Sequence, residues 1–309
     1  MAERDEVRWG VARRFEFLEW RVYWIGRINR KDIEDQFGVS TQQASVDINT
    51  YKEIAPDNIY YDSTEKAYIQ LPSFEPKFLL ESVSADHYLL QLSAILQGAI
   101  QPVDTWFTSP PPASVAPTVM RSVKPYILRT VLKAIERGQN IDISYQSLTN
   151  TRARRIAPHS IAFDGHRWHA RAWCCEREEF RDFVLTRILS IETGPESKAS
   201  PTDDVEWNTF FELKLVPHQK LGDAQRAAIA HDFNMIDGER SVRTRLALAF
   251  YLVARMNLDL DDEAVSPHRK QLQLTNLPEL EKARDEAKAE ARRLVALRRK
   301  SIAPAAGPS

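Results

Sequence analysis

The chain has 309 residues, enough for two or three domains of ordinary size. With 43% hydrophobic and 28% charged residues and a formal net charge of −1, it can bury a core but has no bulk charge to hold a nucleic acid or a membrane surface. No apolar run approaches the roughly 20 residues of a membrane span, and Met1-Ala2-Glu3-Arg4-Asp5 does not open like a signal peptide, so a cytoplasmic location is expected. The two cysteines, Cys174 and Cys175, are adjacent and the seven histidines are scattered. These spacings suit neither a disulfide framework nor a metal site, and no metal or cofactor is expected.

Helical periodicity comes first. Val11, Phe15, Leu18, Val22 and Ile25 recur at three- and four-residue steps within 7–25. Asn29 is a fitting N-cap for a helix Arg30–Phe37, Gly38-Val39 breaks it, and Ser40 caps a third helix, Thr41–Ile54. Residues 59–61, a polar turn over 62–66 and residues 67–71 read as a hairpin. Two helices joined by a short glycine-bearing turn, then a hairpin, make a winged helix-turn-helix domain over 1–75. Residues 76–124 read as a linker, with a helix over 85–100 (Leu89, Leu92 and Leu96 on one face) and a proline-rich extended stretch over 101–118.

A helix over 126–137 ends at Gly138, and from Ile141 the period falls to two. Residues 141–145 and 168–173 alternate, and 180–191 reads as a further strand. Four or five short strands in about 55 residues point to a small β-barrel in a domain spanning 125–197. Residues 205–302 follow an α+β pattern. Strands are expected over 211–216, 241–245 and 270–274, with helices over 223–231, 247–256 and 278–300. In the last helix Leu280, Ala283, Ala287, Leu294 and Leu297 form a stripe suited to a partner chain. The tail 303–309 is expected to be disordered. The fold class is α+β multidomain: an N-terminal winged helix-turn-helix, a central small barrel and a C-terminal α+β domain.

In the helix Thr41–Ile54, Ala44, Ile48 and Tyr51 fall at i, i+4 and i+7 and face inward, while Thr41, Gln42, Gln43, Ser45 and Asn49 project outward. Gln and Asn can pair bidentately with adenine in the major groove. Ser40, Thr41 and Ser45 suit phosphate oxygens at a helix N-terminus, and Lys66 on the wing is a further phosphate contact. Residues 1–80 hold 11 basic against 14 acidic side chains. DNA must therefore be held by placed contacts, doubled by dimerisation. The alternative, a helix-turn-helix that touches only protein, fits poorly with so polar and glutamine-rich a face.

Between Ala134 and Ser197 there are nine arginines and no lysine. Only arginine offers a planar fork to phosphate or carboxylate. Alternation places His169 and Arg171 on one face of their strand, and likewise Arg155 with His159 and Arg181 with Arg187, which a barrel could gather into an anion pocket. Ser144, Ser147, His159, His169 and Asp164 could be drawn as a hydrolase triad, but there is no GxSxG elbow, and the GxxxxGK[ST] and GxGxxG loops are absent too. No catalysis is expected.

The segments Ile143-Ser-Tyr-Gln-Ser147, Arg155-Ile-Ala-Pro-His159, Asp164-Gly-His-Arg-Trp-His-Ala-Arg-Ala-Trp-Cys174 and Phe180-Arg-Asp-Phe-Val-Leu-Thr-Arg-Ile188 together resemble a WYL domain. The namesake Trp-Tyr-Leu is Trp168-His169-Ala170 here, with His169 in the tyrosine's place. The resemblance implies an Sm-like barrel that binds a nucleic-acid or nucleotide ligand. In its whole order the chain resembles the CapW- and BrxR-like repressors of bacterial antiphage defence operons, which end in a WCX-type domain; residues 247–255 look like the characteristic helix of that domain. That family implies a homodimeric repressor on a palindromic double-stranded operator, autoregulating its operon and released by an anionic nucleic-acid or nucleotide-like ligand. Carried onto this sequence, the ligand residues are Tyr145, Ser147, His159, His169, Arg171 and Arg187, followed by Arg155 and Arg181. Two other readings stay open: an accessory RNA- or single-strand-binding protein that assists a defence enzyme, and an activator.

Overall fold

The computed structural model describes residues 9–79, 84–117, 119, 121–261 and 263–302; the tail over 303–309 lies outside them. The chain divides into two compact units, residues 1–119 and 120–309, each with its own core.

The first unit opens with α1 (Trp9–Ile25), α2 (Arg30–Phe37) and α3 (Thr41–Ile54). Local chemistry sets their ends. The Asn29 side chain accepts from the Asp32 N–H while Asp32 accepts from the Asn29 N–H, at 3.1 and 2.8 Å, a reciprocal cap that satisfies two free donors. Gly38 ends α2 in the left-handed region, at φ 64, where a Cβ would be strained. The Ser40 hydroxyl accepts from the Gln43 N–H and starts α3. The wing is the antiparallel hairpin β2 (Ile59–Asp62) and β3 (Ala67–Gln70). Its turn is held by Asp62 Oδ1, which accepts from the Thr64 and Glu65 N–H groups. A two-residue strand absent from the sequence reading, β1 (Arg27–Ile28), joins it in the order β1-β3-β2. Phe15, Leu18 and Val22 of α1 close over Ile33, Ala44, Ile48 and Tyr51.

The stretch read as a linker is largely part of this unit. Helix α4 (Ala85–Leu96) places Leu92 in a buried cluster with Trp20, Leu79 and Phe107, and the Trp106 ring lies 5.6 Å from that of Phe17. The proline-rich stretch opens with a 3-10 turn, Pro102–Asp104, where its prolines alone suggest extended backbone. Burial of Phe107 and packing of Trp106 on Phe17 hold it against α1.

The second unit begins with α5 (Pro125–Arg137), then β4 (Gln139–Gln146), β5 (Thr151–Phe163), β6 (Trp168–Cys174), β7 (Glu179–Val184) and β8 (Ile188–Glu196). The strands form one antiparallel sheet, β7-β6-β5-β4-β8. This corrects the expected Sm-like small barrel: the sheet is open, and among the described residues no ladder joins β7 to β8. The single strand expected over 180–191 is two strands. A tight 3-10 turn, Leu185–Arg187, carries the chain from one edge of the sheet to the other, so the edges approach at that corner without pairing along their length. Register shifts between β4 and β8 and between β5 and β6 bend the sheet.

One face of the sheet packs on α5 through Ile127, Val131, Ile141, Ile143, Ile156, Ala170 and Ala172. The rest of the unit is α6 (Val205–Asn208), β9 (Phe210–Pro217), α7 (Asp223–Asp232), β10 (Arg240–Arg245), α8 (Leu246–Arg255), β11 (Leu272–Leu274) and α9 (Leu277–Ile302), of which α6, α8 and α9 lie over the other face around β6 and β7. The small sheet has the order β10-β9-β11. Much of the α9 stripe expected to meet a partner chain is used internally. Leu280 and Ala287 are buried with Leu213, Leu215 and Val253, and Ala291 and Val295 pack on Trp173 and Phe180. Leu297 is exposed. Among the described residues no helix is long and apolar enough to cross a membrane.

Candidate functional site

Helix α3 buries Ala44, Ile48 and Tyr51 completely and exposes Thr41, Gln42, Gln43 and Asn49, with Ser45 half-exposed. Three buried side chains, Tyr51, Glu19 and Asn58, hold this helix in place. Tyr51 donates its hydroxyl to Glu19 Oε1 at 2.9 Å and accepts from Asn58 Nδ2 at 2.8 Å. Glu19 also takes the N–H groups of Lys77, Phe78 and Leu79 at 2.8, 2.7 and 2.8 Å. The recognition helix is thus tied to α1, to the start of the wing and to the segment that leaves it. Burial, with the adjacent Glu19 carboxylate, pushes the Tyr51 hydroxyl far above its ordinary value, so it remains a donor.

Two of the expected phosphate ligands have local work. Ser40 Oγ is the cap of α3, and Ser45 Oγ donates to Thr41 O at 2.8 Å. Lys66 is exposed at the tip of the wing, in the left-handed region at φ 51. The sequence reading missed Val46, 51% exposed amid the polar residues of the same face. It could have been found at i+3 from Gln43, and it is suited to a thymine methyl group.

A cleft of about 440 Å³ opens at the edge of the five-stranded sheet, lined in part by Tyr145, Ser147, His169, Arg181 and Arg187 of the expected set. Three arginines that the sequence reading passed over, Arg154, Arg167 and Arg177, complete a ring of five, with Asp182 the one carboxylate in the lining. Arg154 was missed because the choice fell on its neighbour Arg155, which alternation sends to the opposite face. There Arg155 forks onto Asp142, both bonds at 2.8 Å. Tyr145 is positioned by the Val184 N–H, which it accepts at 3.1 Å, and by edge-on packing against Phe183. Ser147 Oγ accepts from the Thr149 and Asn150 N–H groups and shapes the loop at the rim.

Arg171 and His159 lie elsewhere. Arg171 is 3% exposed, and its guanidinium reaches Asp204 at 2.7 and 3.0 Å, Glu206 at 2.9 Å and Asp182 at 3.5 Å. His159 Nε2 lies 2.9 Å from Asp204 Oδ2. Alternation does put His169 and Arg171 on one face, but that face is roofed by α6, α8 and α9. Burial opposes the Arg171 charge, yet the Asp204 hydrogen bonds and the carboxylates around it hold the guanidinium above its ordinary value. Burial likewise pushes the Asp204 carboxyl up, and His159 and Arg171 outweigh it, so it titrates below the usual range. His169 connects the two regions: it lines the cleft, and its Nε2 lies 2.9 Å from Asp164 Oδ2. Asp164 also accepts from the His166 and Arg167 N–H groups, both at 2.7 Å, in a turn where Gly165 (φ 95) leaves room for Arg255 that a Cβ would fill. Tyr251 of α8 donates to Asp182 at 2.9 Å and closes the inner wall.

His159 Nδ1 lies 3.0 Å from Ser160 Oγ, but the imidazole is buried, and among the described residues no group of His, Cys, Asp and Glu could hold a metal ion. The arrangement fits two binding surfaces: a polar helix face and a cationic cleft.

Comparison with known proteins agrees along the chain. Residues 10–94 match the family described as the BrxR transcriptional regulator winged helix-turn-helix domain, residues 126–193 the WYL domain, and residues 210–280 the BrxR transcriptional regulator C-terminal dimerization domain. The chain is 36% identical over 282 residues to the DNA-binding transcriptional repressor CapW of Escherichia coli, covering 90% of this chain and 93% of that one. It is 37% identical over 279 residues to CapW of Pseudomonas aeruginosa, with the same coverage, and 34% identical over 258 residues to CapW of Stenotrophomonas maltophilia, covering 82% and 86%. A solved structure, proteasome accessory factor B/C of Arthrobacter aurescens, aligns at 15% identity and a TM-score of 0.26; the chain spans about half of it, 46%, with 88% of its own length, and the likeness carries no argument. From its winged helix through its WYL sheet to its dimerization domain, the chain belongs to the CapW/BrxR family of DNA-binding transcriptional repressors, a family of regulators and not of enzymes.

Proposed function

We propose that the chain works as a homodimer on a palindromic operator of its own defence operon. Each α3 enters the major groove of one half-site, and the dimer lets go when an anionic nucleic-acid or nucleotide-like ligand fills the arginine cleft. The division of labour is a reader over 1–75 with most of 76–124 packed onto it, a sensor over 125–197 and a dimerisation region over 205–302. The observation that carries the ligand reading is the convergence of Arg154, Arg167, Arg177, Arg181 and Arg187 on one cleft with a single carboxylate. Side chains of one sign around a partly enclosed space focus field and draw in a polyanion. For the reader, the support is an exposed face of Thr41, Gln42, Gln43, Ser45 and Asn49 whose inner side is locked by Tyr51 and Glu19. Because the reader has an acidic excess, one copy binds weakly, and affinity comes from two copies at a fixed spacing. A ligand can release DNA only if it binds the released state more tightly than the bound one.

Gel shifts at defined salt test this, using duplex DNA from upstream of the operon with and without a single-stranded oligonucleotide as competitor ligand. Specific duplex binding that the oligonucleotide relieves, and that it no longer relieves in Arg187→Ala, is the expected result. Binding of single strands alone would replace the repressor reading with the accessory one.

A further inference from the structure

Helix α3 carries one buried carboxylate in the midst of its reading face. Asp47 is 2% exposed and sits one turn after Gln43. It is clamped from α1: Arg14 Nε reaches Asp47 Oδ2 at 2.6 Å and Arg14 Nη2 reaches Oδ1 at 3.0 Å, a two-point fork that fixes the carboxylate plane. Arg14 is itself fixed by a hydrogen bond from Nη1 to Gly10 O at 3.0 Å. On its outer side, Asp47 Oδ1 accepts from Gln43 Nε2 at 2.9 Å.

A free glutamine amide turns over readily and presents either end to a base. An ionised carboxylate is acceptor only, so it can face the Gln43 NH2 and repels the amide oxygen. The amide's orientation is therefore set by chemistry. Gln43 is left with one N–H and its Oε1 facing outward. Adenine asks for that pair in the major groove, with N6–H as donor and N7 as acceptor. Guanine offers two acceptors, O6 and N7, and leaves Oε1 facing an acceptor.

We propose that Asp47, held by Arg14, is a specificity-determining positioning residue of this repressor: it orients the Gln43 amide so that the helix selects adenine over guanine at one base pair of each half-site. This rests on the reading that Gln43 faces the operator. Asp47 touches no DNA itself. It acts as a buried keel that removes the rotational freedom of the residue that does.

The test measures binding of full-length protein to the operator and to a set of operators in which each base pair of a half-site is replaced in turn. Gln43→Ala locates the base pair that Gln43 reads. Asp47→Asn keeps size and can either accept from or donate to Gln43, so the amide is no longer fixed. The expected result is that the preference for adenine over guanine at that base pair falls about tenfold, the scale of a good bidentate contact, with preferences elsewhere unchanged. Replacing the ion pair together, Arg14→Met with Asp47→Leu, removes the acceptor without leaving a buried charge unpaired and should relax the same base pair. It serves as the second variant if Asp47→Asn folds poorly. In the double variant with Gln43→Ala, Asp47→Asn should add no further loss of preference there. A general loss of affinity, equal across all substituted operators, would mark the pair as merely structural and overturn the proposal. So would an unchanged preference in both variants while Gln43→Ala abolishes it, an outcome that leaves the helix assignment intact. If Gln43→Ala changes the preference at no base pair, the helix assignment fails and this proposal fails with it.

Discussion

Arg171 on β6 and Asp204 at the head of α6 meet through two parallel hydrogen bonds, Nε to Oδ2 at 2.7 Å and Nη2 to Oδ1 at 3.0 Å, with 3% and 1% of each residue exposed. Asp204 is at the same time the cap of α6, taking the Trp207 N–H at 3.2 Å. The pair bolts the five-stranded sheet to the C-terminal part of the unit. Removing one member leaves the other charged and buried, which costs roughly 3–5 kcal/mol. Arg171→Ala and Asp204→Ala should each lower the denaturant midpoint markedly, and the double variant should lose much less than the two together. Additive losses would mean that the pair is not coupled. A regulatory defect in Arg171→Ala has to be read against this loss of stability.

Acid should weaken the same unit through Asp164. Burial pushes its carboxyl up, but hydrogen bonds from His169, Arg167 and the His166 and Arg167 N–H groups outweigh that and hold it well below the usual range. A carboxylate so lowered stabilises the folded chain at every pH above the unfolded value of about 3.9. As the pH falls through that value the unfolded chain takes up the proton first, and the contribution drains away towards the lower folded value. Urea midpoints should therefore separate wild type from Asp164→Asn by a constant gap from pH 7 to about pH 5, and the gap should narrow below about pH 4. A gap that stays constant down to pH 3 would contradict the assignment.

Lys66 and Gln43 should fail differently. Lys66→Ala takes away the proposed phosphate contact and should weaken all DNA equally, lowering the slope of log affinity against log salt by about 1. Gln43→Ala should leave that slope in place and change sequence preference instead. Salt titrations of operator and scrambled duplex separate the two.

Within the cleft, Arg154→Ala and Arg187→Ala should leave operator affinity and thermal stability close to wild type while blunting the proposed release by an anionic ligand. Arg155→Ala is the control. Its partner Asp142 is on the surface, where water screens such pairs, and Arg155 lies outside the cleft. Equal loss of induction in all three would point to bulk charge instead of this cleft.

Glu19→Ala would strip the acceptor from three backbone N–H groups and the Tyr51 hydroxyl. Each buried donor left without a partner costs about 1–3 kcal/mol, so the winged domain should melt well below wild type and lose operator binding with it. Glu19→Gln, which keeps one acceptor oxygen, should fall between.

Legibility in the sequence followed the range of the interactions involved. Asn29 with Asp32, Gly38 and Ser40 act within a turn of their own position, and helices α2 and α3 could be bounded from them alone. The polar face of α3 was equally plain, because period 3.6 sorts a helix without outside help. Pairing of strands was harder. The 3-10 turn at Leu185–Arg187 has no glycine or proline to announce it, so two strands read as one and an open sheet as a barrel. Trp106 and Phe107, set among prolines, looked like part of a spacer until α1 was seen to supply the surface they bury against.

The sequence by itself determined the local elements, the helix-turn-helix and the arginine-rich composition of the central sheet, since capping, periodicity and side-chain chemistry act over a few residues. Tertiary structure alone decided what each arginine does. Arg154 and Arg187 line a cleft, Arg155 pairs at the surface, and Arg171 is consumed by Asp204 and Glu206 from more than thirty residues away. A guanidinium answers to whichever carboxylate folding brings within about 3 Å, and alternation along a strand fixes only the face it leaves from.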